Sequence, residues 1–321
     1  MGKIKLIAAM VIFGTIGLFV RNIPLPSSVI ALARGAVGTV FLFIMSAASR
    51  RRISGEAVRK NLVLLVLSGA AIGINWILLF EAYRYTTVAT ATLCYYLAPV
   101  FVVLLSPVVL KEKLTGRKLL CVAAALLGMA MISGLFQSGE AGGRDFTGIL
   151  FGTGAAVFYA SVILMNKFLK DIPSSDSTMV QLGAAALVLL PYVLWTEGGT
   201  IAEGGTIAEG GIVTAAGGAV AAAGGMPGGL GNVAGPGNFA AVSAVLLLLV
   251  VGILHTGIAY RLYFSAVAEL DGQTIAVFSY IDPVVAILLS ALVLGETMDG
   301  WGIAGAVLIL GSTLYSEWRG K

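Results

Sequence analysis

The chain has 321 residues, of which 58% are hydrophobic and 11% charged, and its mean hydropathy is +0.98. A soluble domain carries about a quarter charged residues, so too little polar surface remains here to cover a fold in water, and lipid must be the main solvent. The net charge of +4 does not mark a nucleic-acid binder, because Lys and Arg stand in short clusters between apolar runs, with no basic face interleaved with aromatics.

A helix needs about 20 apolar residues to cross the hydrocarbon core. Ten runs qualify in chain order: 6–20, 28–48, 62–80, 88–110, 119–136, 147–165, 179–195, 239–260, 273–294 and 301–315. The first follows Lys3 and Lys5 in the manner of a leader, but no small-x-small cleavage site follows it, and an uncleaved first span is expected. The runs are continuously apolar rather than alternating, which predicts helices and not strands. The expected fold class is an all-α membrane protein with ten transmembrane helices.

Loop charges set the expected orientation. With the N-terminus in the cytoplasm, sixteen of the 20 Lys and Arg fall on the inner side, from Lys3 to Lys321. Only Arg21, Arg84 and Arg144 fall outside, and Arg34 lies within the second span. An odd number of spans would scramble that bias, so both termini are expected in the cytoplasm of a cell whose plasma (inner) membrane holds the chain. The stretch 197–238 holds 15 glycines in 42 residues, no Lys or Arg, and GTIAEG twice in succession. Glycine disfavours helix interiors, so this stretch reads as a low-complexity outer loop inserted into the second half.

Cys94 and Cys121 lie inside apolar runs and His255 is the lone histidine, so neither a disulfide framework nor a metal cluster is expected, and no cofactor. Motifs such as HExxH and GxxxxGK[ST] are missing from the sequence, which sets it apart from intramembrane metalloenzymes and nucleotide-driven pumps.

An internal repeat organises the ten runs. YYLAPVFVVLLSPVVLKEKL at 95–114 aligns without gaps on SYIDPVVAILLSALVLGETM at 279–298. Tyr96/Tyr280, Pro99/Pro283, Ser106/Ser290 and Glu112/Glu296 are among the identical pairs. Each half, 1–137 and 138–321, then holds five spans. An odd number makes the second half enter the membrane with reversed polarity, an arrangement typical of secondary transporters that rock about a midplane site.

These residues, with LHTGIAYRLYFSA at 254–266 and LGE at 294–296, resemble the EamA family of the drug/metabolite transporter superfamily. The resemblance covers the chain except 197–238. It implies a ten-helix inverted-repeat fold and export or exchange of small metabolites, amino acids among them, often coupled to protons. The expected partners are thus a small-molecule substrate, protons and the bilayer. A lipid-carrier flippase is the alternative, with an intramembrane transferase further behind.

A charged side chain in hydrocarbon is costly and so is a candidate for function. Asp282 leads: it lies ten residues into the ninth span beside Pro283, and its first-half equivalent is Ala98. It suits a proton or a cationic substrate group, against the alternative of a structural carboxylate bonded to a neighbouring Tyr or Ser. Pro99 and Pro283 are expected to kink their helices. Tyr96 and Tyr280, each three residues before its proline, join Asn75, Trp76, Tyr95 and Ser279 in a polar and aromatic set suited to amphipathic solutes. Tyr260 and Tyr263 belong with them, and interfacial anchoring is the other use of such residues.

Arg34 either snorkels to the headgroups, the favoured reading, or faces the cavity and attracts a carboxylate. Glu81 pairs with Arg84 one turn away, the favoured reading, or contacts solute in an outer vestibule. His255, placed in the inner half of the eighth span, packs through hydrogen bonds or takes part in proton coupling. Glu112 and Glu296 are expected to cap the helices that follow them.

Overall fold

The computed structural model describes residues 1–20, 22–50, 53–85, 91, 94–132, 143–202, 236–294 and 300–318. Glu296 and most of the glycine-rich stretch lie outside these residues. Helices account for the architecture, with no strand among the described residues. In chain order they are α1 (Gly2–Val20), α2 (Ser27–Ala48), α3 (Gly55–Tyr85), α4 (Ala98–Val109), α5 (Gly116–Ile132), α6 (Gly143–Asn166) and α7 (Ser174–Ala202). There follow α8 (Pro236–Val250), a π-helical segment (Val251–Ile258), α9 (Ala259–Glu269), α10 (Gly272–Phe278), α11 (Ile281–Leu294) and α12 (Gly300–Trp318).

These helices group into ten rods. The segments α8, π and α9 form one continuous rod, and α10 and α11 are two legs of a broken one. Among the described residues six helices are long and apolar enough to cross a membrane, and Ala98–Val109 and Ile303–Ser312 are apolar but shorter. The fourth and ninth rods break beside their prolines.

Several boundaries differ from those expected. The third helix begins at Gly55 and the eighth rod ends at Glu269, well beyond their apolar runs, because helices continue past the hydrocarbon where polar side chains hold them. Asn61 shows how: its Nδ2 donates to the carbonyls of Ala57 and Lys170, and its Oδ1 accepts from the Lys170 amide. The seventh helix runs through Glu197 to Ala202, and α8 begins at Pro236, so 197–202 and 236–238 are helical where an outer loop was expected, and the rest of that stretch lies outside the described residues.

The rods pack mainly across the sequence midpoint. Helix α3 lies against α6 and α7, α2 against α7 and the π segment, and α1 against α9 and α11. Helix α4 lies against α6 and α10, and α5 against α12. Small residues permit the tightest crossings, as in other membrane bundles. A Cβ on Gly69 would stand 2.5 Å from the Gln181 carbonyl oxygen, and one on Gly14 would stand 2.7 Å from that of Asp282. Outward faces are apolar, with Leu292 81% and Val108 80% exposed, as expected where lipid replaces water.

Candidate functional site

Two prolines set the geometry. Without an N–H, Pro99 and Pro283 cannot bond the carbonyls of Tyr95 and Ser279 one turn back, and each settles in the first turn of a new helix, α4 and α11, where a missing donor costs nothing. Tightened turns precede them: Leu97 N–H donates to the Cys94 carbonyl at 3.1 Å, and Tyr280 N–H to that of Val277 at 3.4 Å. The expected kinks are therefore full breaks in the rods. Tyr96 and Tyr280, matched in the repeat, sit at the two breaks.

The breaks are bonded to each other. Tyr96 Oη donates to Asp282 Oδ2 at 3.1 Å, and Tyr280 Oη donates to the Tyr96 carbonyl at 3.1 Å. Irregular backbone inside a membrane needs such partners. Tyr280 is fully buried. Tyr280→Phe is therefore expected to lower thermal stability in detergent by about 1 kcal/mol, the worth of one internal hydrogen bond. Asp282 is half-buried in the first turn of α11, where the unpaired N–H groups of a helix start favour a carboxylate.

An aromatic cluster continues from this pair. Tyr95 stacks on Tyr159, with centroids 5.4 Å apart and planes 3° from parallel. Tyr159 Oη bonds Tyr263 Oη at 3.1 Å. Phe13 meets Tyr260 edge-on at 5.1 Å, and Tyr260 meets Trp76 edge-on at 6.2 Å. Over Trp76 lies the guanidinium of Arg34, its Cζ 4.0 Å from the ring centroid. Arg34 thus packs inward on a buried ring of α3.

The remaining candidates have partners of their own. His255 is fully buried near the middle of its rod. It lies in the π segment, a helical form that recurs at functional sites. Its Nε2 is 2.8 Å from Thr15 Oγ1, which itself donates to the Ile12 carbonyl. Ser279 bonds its own helix at the Ile275 carbonyl. Asn75 Nδ2 donates to the Ala155 carbonyl at 2.6 Å and ties α3 to α6. Glu81 lies apart, paired with Arg84 at 3.1 Å and accepting from Tyr192 Oη, which matches the ion-pair expectation. Among the described residues no three of His, Cys, Asp and Glu gather to hold a metal.

A family model described as the EamA-like transporter family matches residues 1–134 and 146–316. The chain belongs to this family. An uncharacterized transporter of Bacillus subtilis (strain 168), YxxF, is 28% identical over 95% of this chain and 86% of its own length. An uncharacterized transporter of Archaeoglobus fulgidus is 24% identical over 99% of this chain and 96% of its own. One solved protein crystal structure shares the fold with a TM-score of 0.76, covering 98% of this chain and 96% of its own at 17% identity.

In this EamA-like chain one end of the bundle is sealed by bonds that mostly join the sequence halves. The Glu112 carboxylate accepts from the amides of Gly272 at 2.8 Å and Gln273 at 3.4 Å, capping α10 rather than the helix that follows it. Lys118 Nζ reaches Asp271 Oδ2 at 2.5 Å, Gln273 Nε2 reaches Ser106 Oγ at 2.9 Å, and Lys167 bonds the Leu270 carbonyl. Burial opposes ionisation of Asp271, but the bonds from Lys118 and Thr274 outweigh it and hold its carboxyl below the usual range.

Sequence reasoning missed Tyr159 and Phe13 in the aromatic cluster. Tyr159 was within reach, since it stands far from both ends of its span, the same criterion that singled out Tyr96. Phe13 carries no such mark in an apolar helix.

Proposed function

We propose that the chain is a secondary active transporter that moves small organic metabolites, amino acids among the candidates, by alternating access between inverted halves 1–137 and 138–321. The hydrogen-bonded junction of the two broken rods carries this reading, because it places a carboxylate and two tyrosines where the repeats meet. Discontinuous helices meeting at the midplane are the usual site of solute and coupling ion in such carriers.

The packing supports inversion. Exchange each rod for the one five places along, and the contacts map onto one another: third with sixth becomes eighth with first, third with seventh becomes eighth with second, and first with ninth becomes sixth with fourth. The second–seventh, fourth–ninth and fifth–tenth pairings map onto themselves.

On this reading both termini and the sealed, lysine-bearing end face the cytoplasm of the plasma (inner) membrane, the direction of net transport is outward, and Asp282 couples it to protons. A cysteine at Ser54 should label with an impermeant reagent only from the inner side, and one at Gly225 only from the outer side. The reverse pattern would overturn the topology.

One observation favours a lipid-carrier flippase instead. An apolar groove of about 580 Å³ runs between α2, α3 and α7 past Phe43, Val66 and Leu187. It includes no residue of the aromatic cluster, and no charged side chain lines it to receive a headgroup, so solute carriage is the better account.

A further inference from the structure

Small residues build the groove between α2, α3 and α7. Both α2 and α3 lie against α7. A Cβ on Gly69 or Gly73 of α3 would stand 2.5 or 2.9 Å from the carbonyl oxygens of Gln181 and Ala185. Gly183 and Ala184 form the floor, and Val40, Phe43 and Val66, each about half exposed, form the walls. The volume of about 580 Å³ lies within the range of about 300–1,000 Å³ usual for ligand pockets. The floor lining runs from Met179 to Val188. At 1.5 Å per residue that is about 14 Å, close to half of the roughly 30 Å hydrocarbon core. The groove is thus one leaflet deep.

Both walls lead to a basic residue at the same end. On α3, steps of three and four residues follow one face from Arg59 through Val63 to the lining residues Val66 and Ala70. On α2 the lining residues Thr39 and Phe43 lead by the same steps through Ser46 to Arg50, just beyond the cap Ser49. Each arginine is seven residues, or about 10 Å along the axis, from the nearest lining residue of its wall. The Ser54 amide donates to Asp176 Oδ2 at 3.1 Å, which ties this turn to the start of α7 and engages that buried carboxylate. Residues 50–60 hold five basic residues and one acid, Glu56. Arg50, Arg59 and Lys60 are exposed, and none forms an ion pair among the described residues.

An apolar groove one leaflet deep that ends beneath two guanidinium groups matches a phospholipid, with its chain in hydrocarbon and its phosphate at the surface. We propose that the groove holds one acyl chain of an anionic phospholipid, whose phosphate is bound by Arg50 and Arg59 at the surface of that leaflet. This goes beyond solute transport and does not depend on it. A resident lipid keeps its headgroup at the surface, so it needs no charge inside the groove, whereas a flippase does. With walls from α2 and α3 and a floor from α7, the bound chain touches both sequence halves.

Native mass spectrometry of the full chain in detergent tests the site with two probes of equal chains, dioleoylphosphatidylglycerol and dioleoylphosphatidylcholine. One phosphatidylglycerol should be retained per chain, with at least about tenfold preference over phosphatidylcholine, as two basic residues near a net negative headgroup provide. Arg50→Gln with Arg59→Gln should bring the two lipids within about twofold of each other, a ratio set by charge in the folded protein. Both side chains are exposed, and an unchanged melting temperature in lipid-free detergent checks the fold. Arg50→Lys with Arg59→Lys keeps the charge and should retain most of the preference. Ala70→Phe fills the groove with both arginines in place, and should lower phosphatidylglycerol retention at least about fivefold through lost chain burial.

The assignment is overturned if the wild type retains both lipids equally, if the preference survives the double glutamine variant, or if Ala70→Phe leaves retention unchanged. A dimer that forms without retained lipid and dissociates in Ala70→Phe would also overturn it, by giving the groove to a second copy of the chain. None of these measurements reads flux, so their failure leaves the transporter reading standing.

Discussion

Asp282→Asn is expected to abolish solute accumulation driven by a pH gradient while leaving a folded protein that still exchanges solute across the membrane. The substitution changes little in shape. The Asn carbonyl oxygen can accept the hydrogen bond that Tyr96 donates to Asp282 Oδ2, so the link between the broken rods survives. What disappears is a group able to take up and release a proton. Desolvation works against a carboxylate at this depth, whereas the Tyr96 hydroxyl and the first turn of α11 work for it. A carboxyl group held by one hydroxyl can change protonation when that bond breaks, and a rocking motion that separates Tyr96 from Asp282 would break it. The measurement is flux in proteoliposomes, using the solute that a thermal-shift screen of amino acids, sugars, nucleosides and amines selects. Accumulation under an imposed pH gradient should fall to that of protein-free liposomes, with counterflow exchange persisting. Unchanged gradient-driven accumulation would remove Asp282 from the coupling mechanism.

The parts of this architecture legible in the sequence are those in which one residue type has few alternatives. Pro99 and Pro283 mark the broken rods because a missing N–H acts locally, and the spacing of Tyr96 and Tyr280 to those prolines ties the halves together. Hydropathy located the rods but misjudged their lengths. It registers where lipid begins, whereas α3 is extended at one end by the amide of Asn61, and the eighth rod runs on through Arg261 to Glu269.

Side-chain direction was less accessible. Arg34 could have turned either way on its helix, and only the Trp76 face from α3 shows that it turns inward. Glu112 was legible as a cap, but the helix it caps lies 160 residues away and belongs to the other half. Such partnerships depend on which rods become neighbours, and a single chain's local pattern does not record that.

Breaking the seal at the lysine-bearing end is expected to populate a conformation open at that end. Glu112→Ala leaves the Gly272 and Gln273 amides without their acceptor, and losing a side-chain cap of this kind costs about 0.5–2 kcal/mol. At about 1.4 kcal/mol per factor of ten, the open population should rise between about twofold and thirtyfold. Spin labels at Lys113→Cys and Ala268→Cys, both exposed and on opposite sides of the seal, with Cys94 and Cys121 replaced by Ala, report the change as a longer-distance population. Acid should act in the same direction through Asp271. Its carboxyl is held below the usual range when bonded to Lys118 and Thr274, so its contribution to the closed form is complete above the free carboxylate value of about pH 4 and is lost as pH falls through the lower, bonded value. Lys118→Met removes that bond, so the open population should be raised at neutral pH and should respond less to acid. An unaltered distance distribution in Glu112→Ala and Lys118→Met alike would show that these bonds do not hold the end shut, and that the apolar packing of Val102 and Leu110 around Gly272 does so.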